Sequence, residues 1–154
     1  MTGLPLYELR TRDEDGVRQV WDRLRKKWLV LTPEEHVRQC LVEYLVREKG
    51  VPQGLISQEK GLSYDRRRKR YDLVVYGRDG QPLLACECKA PYVALDRAAG
   101  MQLAVYNRKI GARFLLWTNG QVLVAYGKGE ERLLLLDELP GFEEMVGNEN
   151  EPPE

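Results

Sequence analysis

The run Tyr71–Ala90, reading Y-D-L-V-V-Y, G-R-D-G-Q-P and L-L-A-C-E-C-K-A, constrains this chain more than any other stretch. Two short runs, one rich in Val and Tyr and the other in Leu, Ala and Cys, flank Asp79-Gly80 and Pro82, residues that tight connections use. This pattern predicts a β-hairpin. Because side chains alternate faces along a strand, Glu87 and Lys89 fall on one face and Cys86, Cys88 and Ala90 on the other. An acid and a lysine thus share a face in a run apolar enough to be buried, where charges are rare unless paired or metal-bound. Asp72, at the opening of the preceding strand, is placed to join them.

Two carboxylates beside an ammonium suit a hard divalent cation. Mg²⁺ usually takes one or two carboxylates, and waters and phosphate oxygens complete its shell. The same residues carry a family resemblance. Asp72 followed by Glu87-Cys88-Lys89 resembles the PD-(D/E)xK nuclease signature, with Tyr71 where the usual proline would stand. T-P-E-E-H-V-R-Q at 32–39, R-Y-D-L-V-V-Y at 70–76, E-C-K-A-P at 87–91, Q-L-A-V-Y-N at 102–107 and T-N-G at 118–120 are similar, in order, to the N-terminal nuclease domain of type I restriction enzyme motor subunits. The resemblance spans about residues 20–126. It implies a Mg²⁺- or Mn²⁺-dependent deoxyribonuclease in which Asp72 and Glu87 hold the metal, the Cys88 backbone carbonyl adds an oxygen and Lys89 positions the water. Glu35, in the first core helix, would act directly or through water.

Glu35 has a competing reading. Thr32-Pro33-Glu34-Glu35 opens a helix through about Lys49, with Thr32 as N-cap, Pro33 at the first helical position and Gly50 beyond the end. Thr32-x-x-Glu35 is also a capping box, in which Glu35 turns back to the Thr32 backbone N–H. Residues 54–64 alternate enough for a strand. The run Arg66, Arg67, Arg68, Lys69 and Arg70 just precedes Asp72; it is either a solvated turn or a phosphate contact at the rim of the site. Arg97–Ile110 is expected to be helical, with Gln102 and Tyr106 four apart on one face. The resemblance gives this pair a part in DNA binding, whereas the plain reading is a helix flank. Asn119-Gly120 is a strong hairpin signal between Arg113–Thr118 and Gln121–Tyr126, and Leu133–Leu136 could add an edge strand. Upstream, Val17, Val20, Trp21 and Leu24 have helical spacing in residues 13–28, which predicts a short amphipathic helix.

Composition bears on the nucleic-acid reading. The formal charge is zero, but five acids and no base follow Phe142, so residues 1–142 carry 24 basic against 19 acidic side chains, a net +5. The chain is expected to form one domain over 1–140, with an acidic, frayed tail at 141–154. Cys86-x-Cys88 lacks the second pair that zinc would need, and His36 has no partner identifiable by spacing. Three cysteines without a disulfide framework, and no long apolar span, lead to a cytoplasmic expectation. No G-x-x-x-x-G-K-[ST] run occurs in these residues, so a translocase or specificity subunit is expected as a separate partner, and a homodimer stays open. The fold expected is α/β, a restriction-endonuclease-like mixed central sheet flanked by helices. The alternative function is a nuclease-fold module that binds DNA or a protein partner without cutting.

Overall fold

The computed structural model describes residues 3–58, 71–96, 100 and 110–147. Its body is a six-stranded mixed sheet, the α/β arrangement of a restriction-endonuclease-like domain. In chain order the strands of this sheet are β4 (Ile56–Gln58), β5 (Leu73–Tyr76), β6 (Pro82–Cys88), β7 (Phe114–Thr118), β8 (Leu123–Lys128) and β9 (Leu133–Leu136), and they lie in space in that same order. All pair antiparallel except β6 with β7. A parallel pair needs a crossover of a dozen residues or more, and residues 89–113 supply it. The helix expected at Arg97–Ile110 lies in that crossover; of it only Gly100 and Ile110 are among the described residues, and both are helical.

Helix α1 (Pro33–Arg47) begins as the sequence predicts. Thr32 is the extended N-cap and its hydroxyl accepts from Glu35 N–H at 3.1 Å. The helix packs Val37, Leu41 and Leu45 into a core shared with Leu73, Val75, Leu84, Cys86 and Leu116. A second cluster, with Val74, Ala85, Leu115 and Trp117, occupies the opposite parity of the sheet. The alternation along β5 and β6 thus buries both faces, as in sheets covered on two sides.

The helix expected at residues 13–28 is absent. In its place an antiparallel sheet of three strands, β1 (Thr11–Glu14), β2 (Val17–Asp22) and β3 (Lys27–Val30), precedes α1. Asp15 and Gly16 take φ of 51° and 79°, the left-handed pair of a two-residue hairpin turn. That turn lets Glu14 pair with Val17. The alternation that decides the structure is Gln19 and Trp21 on one side against Val20 and Asp22, both fully buried, on the other. Trp21 faces Trp28 across the strands, with ring centroids 5.4 Å apart, and Arg10 and Arg12 stack on the pair. Helical spacing of four apolar residues is compatible with either form; the Asp-Gly turn selects the hairpin.

Two further differences concern the edges of elements. The stretch expected as a strand over 54–64 begins with a 3₁₀ turn at Gln53–Leu55, and its strand portion is β4; residues 59–64 lie outside the described residues. At the other end, where the sequence predicts an acidic tail from residue 141, helix α2 (Phe142–Gly147) buries Phe142 and Met145 in the main core. The acids Glu143 and Glu144 point away from that core, and Glu143 pairs with Arg78.

Candidate active site

The site forms where β5 begins beside the end of β6. Asp72 precedes β5, and its N–H donates to Cys86 O at 3.0 Å while its Oδ2 accepts Cys88 N–H at 2.7 Å. The residue is thereby held by its main chain to Cys86 and by its carboxylate to Cys88, on either side of Glu87. Glu87 and Lys89 share a face, as strand parity predicts: Lys89 Nζ lies 3.0 Å from Glu87 Oε1. The Lys89 N–H donates to Thr118 O at 2.9 Å, which continues the parallel seam one residue past β6. Register places Trp117, 1% exposed, next to Glu87 on β7.

The Lys89 ammonium is strongly held. Burial opposes its charge, but the hydrogen bond and charge of Glu87, with Asp72 and Glu34 beyond, outweigh it and raise the pKa. At neutral pH Lys89 is therefore a donor and a cation, not a base.

Glu35 is 8% exposed and makes only half of a capping box. Its N–H bonds Thr32, but the Thr32 N–H donates to Val30 O at 3.1 Å instead of to the Glu35 carboxylate. That carboxylate faces the site, accepting from Gln39 Nε2 at 3.0 Å through Oε1 and from Arg38 Nη1 through Oε2. Arg38 Nη2 in turn reaches Asp72 Oδ1 at 2.9 Å and lies 3.7 Å from Glu34. Burial works against the Arg38 charge, and Glu35 and Asp72 overcome it, raising its pKa.

Arg38 is the principal residue that sequence reasoning missed. The signal was present, since Arg38 stands three and four residues after two glutamates on a helix, the spacing of ion pairs. Hydrophobic periodicity points to Val37 and Leu41 instead.

The acids are thus divided between two cations, Glu35 and Asp72 on Arg38 and Glu87 on Lys89. Among the described residues no three acid, histidine or cysteine side chains form a ready metal cage. In kind, the donors do fit a hard cation: they are oxygens, and the Asp72 and Glu87 side chains are open to solvent by 17% and 16%. The cysteines do not compete for that role. Cys86 and Cys88 are fully buried on the α1 side, where burial drives their thiols well up. His36 pairs with Cys40 at 3.8 Å between the nearest atoms. Gln102, Tyr106, Arg66, Arg67, Arg68, Lys69 and Arg70 lie outside the described residues.

The third motif of the site is Thr118-Asn119-Gly120. Asn119 Oδ1 accepts from Gln121 and Val122 N–H at 3.0 and 2.9 Å, and Nδ2 donates to Val93 O at 2.8 Å. The turn thereby holds the segment that follows Lys89. With this geometry in place, the model of the type I restriction enzyme R protein N terminus family matches residues 33–140, well over half of the chain. The chain belongs to that family. No curated protein matches it. The R protein match takes in α1, the central sheet, Asp72, Glu87, Lys89 and the T-N-G turn, and it is consistent with the PD-(D/E)xK superfamily. It begins at Pro33, so the β1–β3 sheet stands outside the part of the chain that the R protein family defines. No helix among the described residues is long and apolar enough to cross a membrane.

Proposed function

We propose that this R protein N-terminal domain hydrolyses DNA phosphodiester bonds with Mg²⁺ or Mn²⁺. The observation that carries this reading is Asp72, bonded to the backbone of Cys86 and Cys88 on either side of Glu87, beside the Glu87–Lys89 pair at one end of the sheet. Asp72 and Glu87 would hold the cation with the Cys88 carbonyl, and Glu35 would join directly or through water. When bound, the cation supplies charge neutralisation at the phosphate. Charge counting supports the assignment: Glu34, Glu35, Asp72 and Glu87 face Arg38 and Lys89, leaving a net charge of −2 that one divalent ion balances. Lys89, kept protonated, orients the attacking water by donating to it and offsets charge on the phosphate. Arg66, Arg67, Arg68, Lys69 and Arg70 would follow the DNA backbone, with Gln102 and Tyr106 adding contacts. Membership of an R protein family supports work in an assembly with DNA and other subunits.

The division of the acids between two cations favours one rival, a domain that binds DNA without cutting. Lys89→Ala decides between them when plasmid and single-stranded DNA are offered with Mg²⁺ or Mn²⁺. Cleavage should fall by about 10²–10⁴, the usual scale of a positioned proton donor or acceptor, while DNA affinity is retained. Neutralising Arg66–Arg70 should do the reverse and reduce the salt slope of duplex binding by up to about five. A wild-type protein that binds DNA with steep salt dependence and cuts no form of it would establish the non-catalytic module.

A further inference from the structure

We infer that Arg38 is a phosphate ligand held in reserve, bound to Glu35 and Asp72 until a divalent cation takes those carboxylates and frees its guanidinium for the scissile phosphodiester. This rests on the metal-dependent reading above, in the form in which Glu35 joins the cation directly, and adds to it a substrate-binding residue.

Three observations converge. A single guanidinium spans both acids, with Nη1 on Glu35 and Nη2 on Asp72. Two oxygens on one Mg²⁺ ion stand roughly 3–4 Å apart, so a cation shared by these carboxylates leaves no place between them for the guanidinium. Arg38 must then change partners. Its side chain is only 18% exposed, and a charge so placed requires a counter-ion. The acid nearest after Glu35 and Asp72 is Glu34, 3.7 Å away and itself half-exposed.

The third observation concerns the guanidinium itself. Arg38 Nε is buried with no hydrogen-bond partner among the described residues, although its two neighbours in the same planar fork are both engaged. An N–H in that state lacks an acceptor that the resting site does not provide. A phosphodiester offers two oxygens at the spacing of the Nε and Nη2 edge, the bidentate geometry in which arginine outdoes lysine. The substrate is thus the anion that would satisfy both the freed charge and the unfilled donor.

The test uses the intact chain and readouts other than cleavage. In wild-type protein the ¹H–¹⁵N resonance of Arg38 Nε, assigned through bonds from the α1 backbone, should move when Mg²⁺ is added. It should move again when dimethyl phosphate follows, and dimethyl phosphate without Mg²⁺ should leave it in place. In parallel, calorimetry should show Arg38→Gln binding Mg²⁺ up to about fivefold more tightly than wild type, since the competing ion pair is gone. If Mg²⁺ binds wild type but the resonance stays fixed, Arg38 is a structural strut and the inference is overturned. Mg²⁺ binding that is no tighter in Arg38→Gln than in wild type overturns it equally. If neither protein binds Mg²⁺, the metal-dependent reading itself fails, and this inference with it. Should Arg38→Gln not fold, the wild-type resonance alone decides.

Discussion

At the scale of single residues, parity along β6 is the strongest lesson. Glu87 and Lys89 meet on one face because they are two apart, and the same rule sends Cys86 and Cys88 to the core. Burial accounts for the raised pKa of both thiols, and Cys40 is raised by burial as well. Ellman's reagent at pH 8 should therefore label none of the three cysteines in folded protein and all three after unfolding. The sign of the pH effect follows. A thiol whose folded pKa lies above its unfolded value contributes fully below the unfolded pKa, near 9, and loses that contribution as pH rises through the folded one. Urea unfolding should thus show stability falling between pH 8 and pH 10, and falling less in the Cys86→Ala/Cys88→Ala variant. Equal slopes for the two proteins would mean that the thiols ionise in the folded state.

At the scale of elements, the sequence was most legible where a local signal and a global requirement coincide. Thr32 and Pro33 start α1, Asn119-Gly120 turns β7 into β8, and the hydrophobic run at Leu133–Leu136 is the edge strand β9. It was least legible at residues 13–28, where side-chain spacing fitted a helix and a two-residue turn outweighed it. Glu35 shows a subtler limit, because its N–H bonds the Thr32 hydroxyl as an N-cap requires, while its carboxylate does not turn back to the Thr32 N–H and accepts instead from Arg38 and Gln39. Spacing also could not reveal the work of Asn119, whose side chain joins two loops distant in sequence. Asn119 is 5% exposed and makes three hydrogen bonds, two of them closing its own turn. Asn119→Ala should cost about 2–3 kcal/mol, because three part-buried hydrogen bonds are lost at about 1 kcal/mol each. In a chain of this size that is a fall of roughly 5–10 °C in Tm by calorimetry. On the proposed reading cleavage should drop as well, since Val93 loses its tether and Lys89 stands on the same segment. A variant with unchanged melting would show that water replaces the side chain without loss.

At the scale of the whole molecule, the parallel seam between β6 and β7 divides the large sheet into two antiparallel halves, β4–β6 and β7–β9. Each half is built from strands that pair with their neighbours in sequence, and only the seam waits for a long crossover to close. Glu87 and Lys89 sit at that seam, with Lys89 anchored to Thr118 across it, while Asp72 lies one strand away at the start of β5. The anchoring of Lys89 is therefore tied to the long search that closes the seam, because loop closure has to be completed before non-local pairing rewards it. Lengthening the crossover should expose this link. Inserting about 25 Gly/Ser residues after Tyr92, which is 82% exposed, would double the loop and add roughly 0.6 kcal/mol of closure entropy. Stopped-flow refolding should slow about threefold while the unfolding rate stays unchanged, and an unaltered refolding rate would place the seam after the barrier. On the proposed reading, Lys89 would gain its anchor only in the step that makes the chain a single sheet, so that partly folded forms, in which the two halves are still apart, would meet a cell's own DNA with the lysine of the site unsecured.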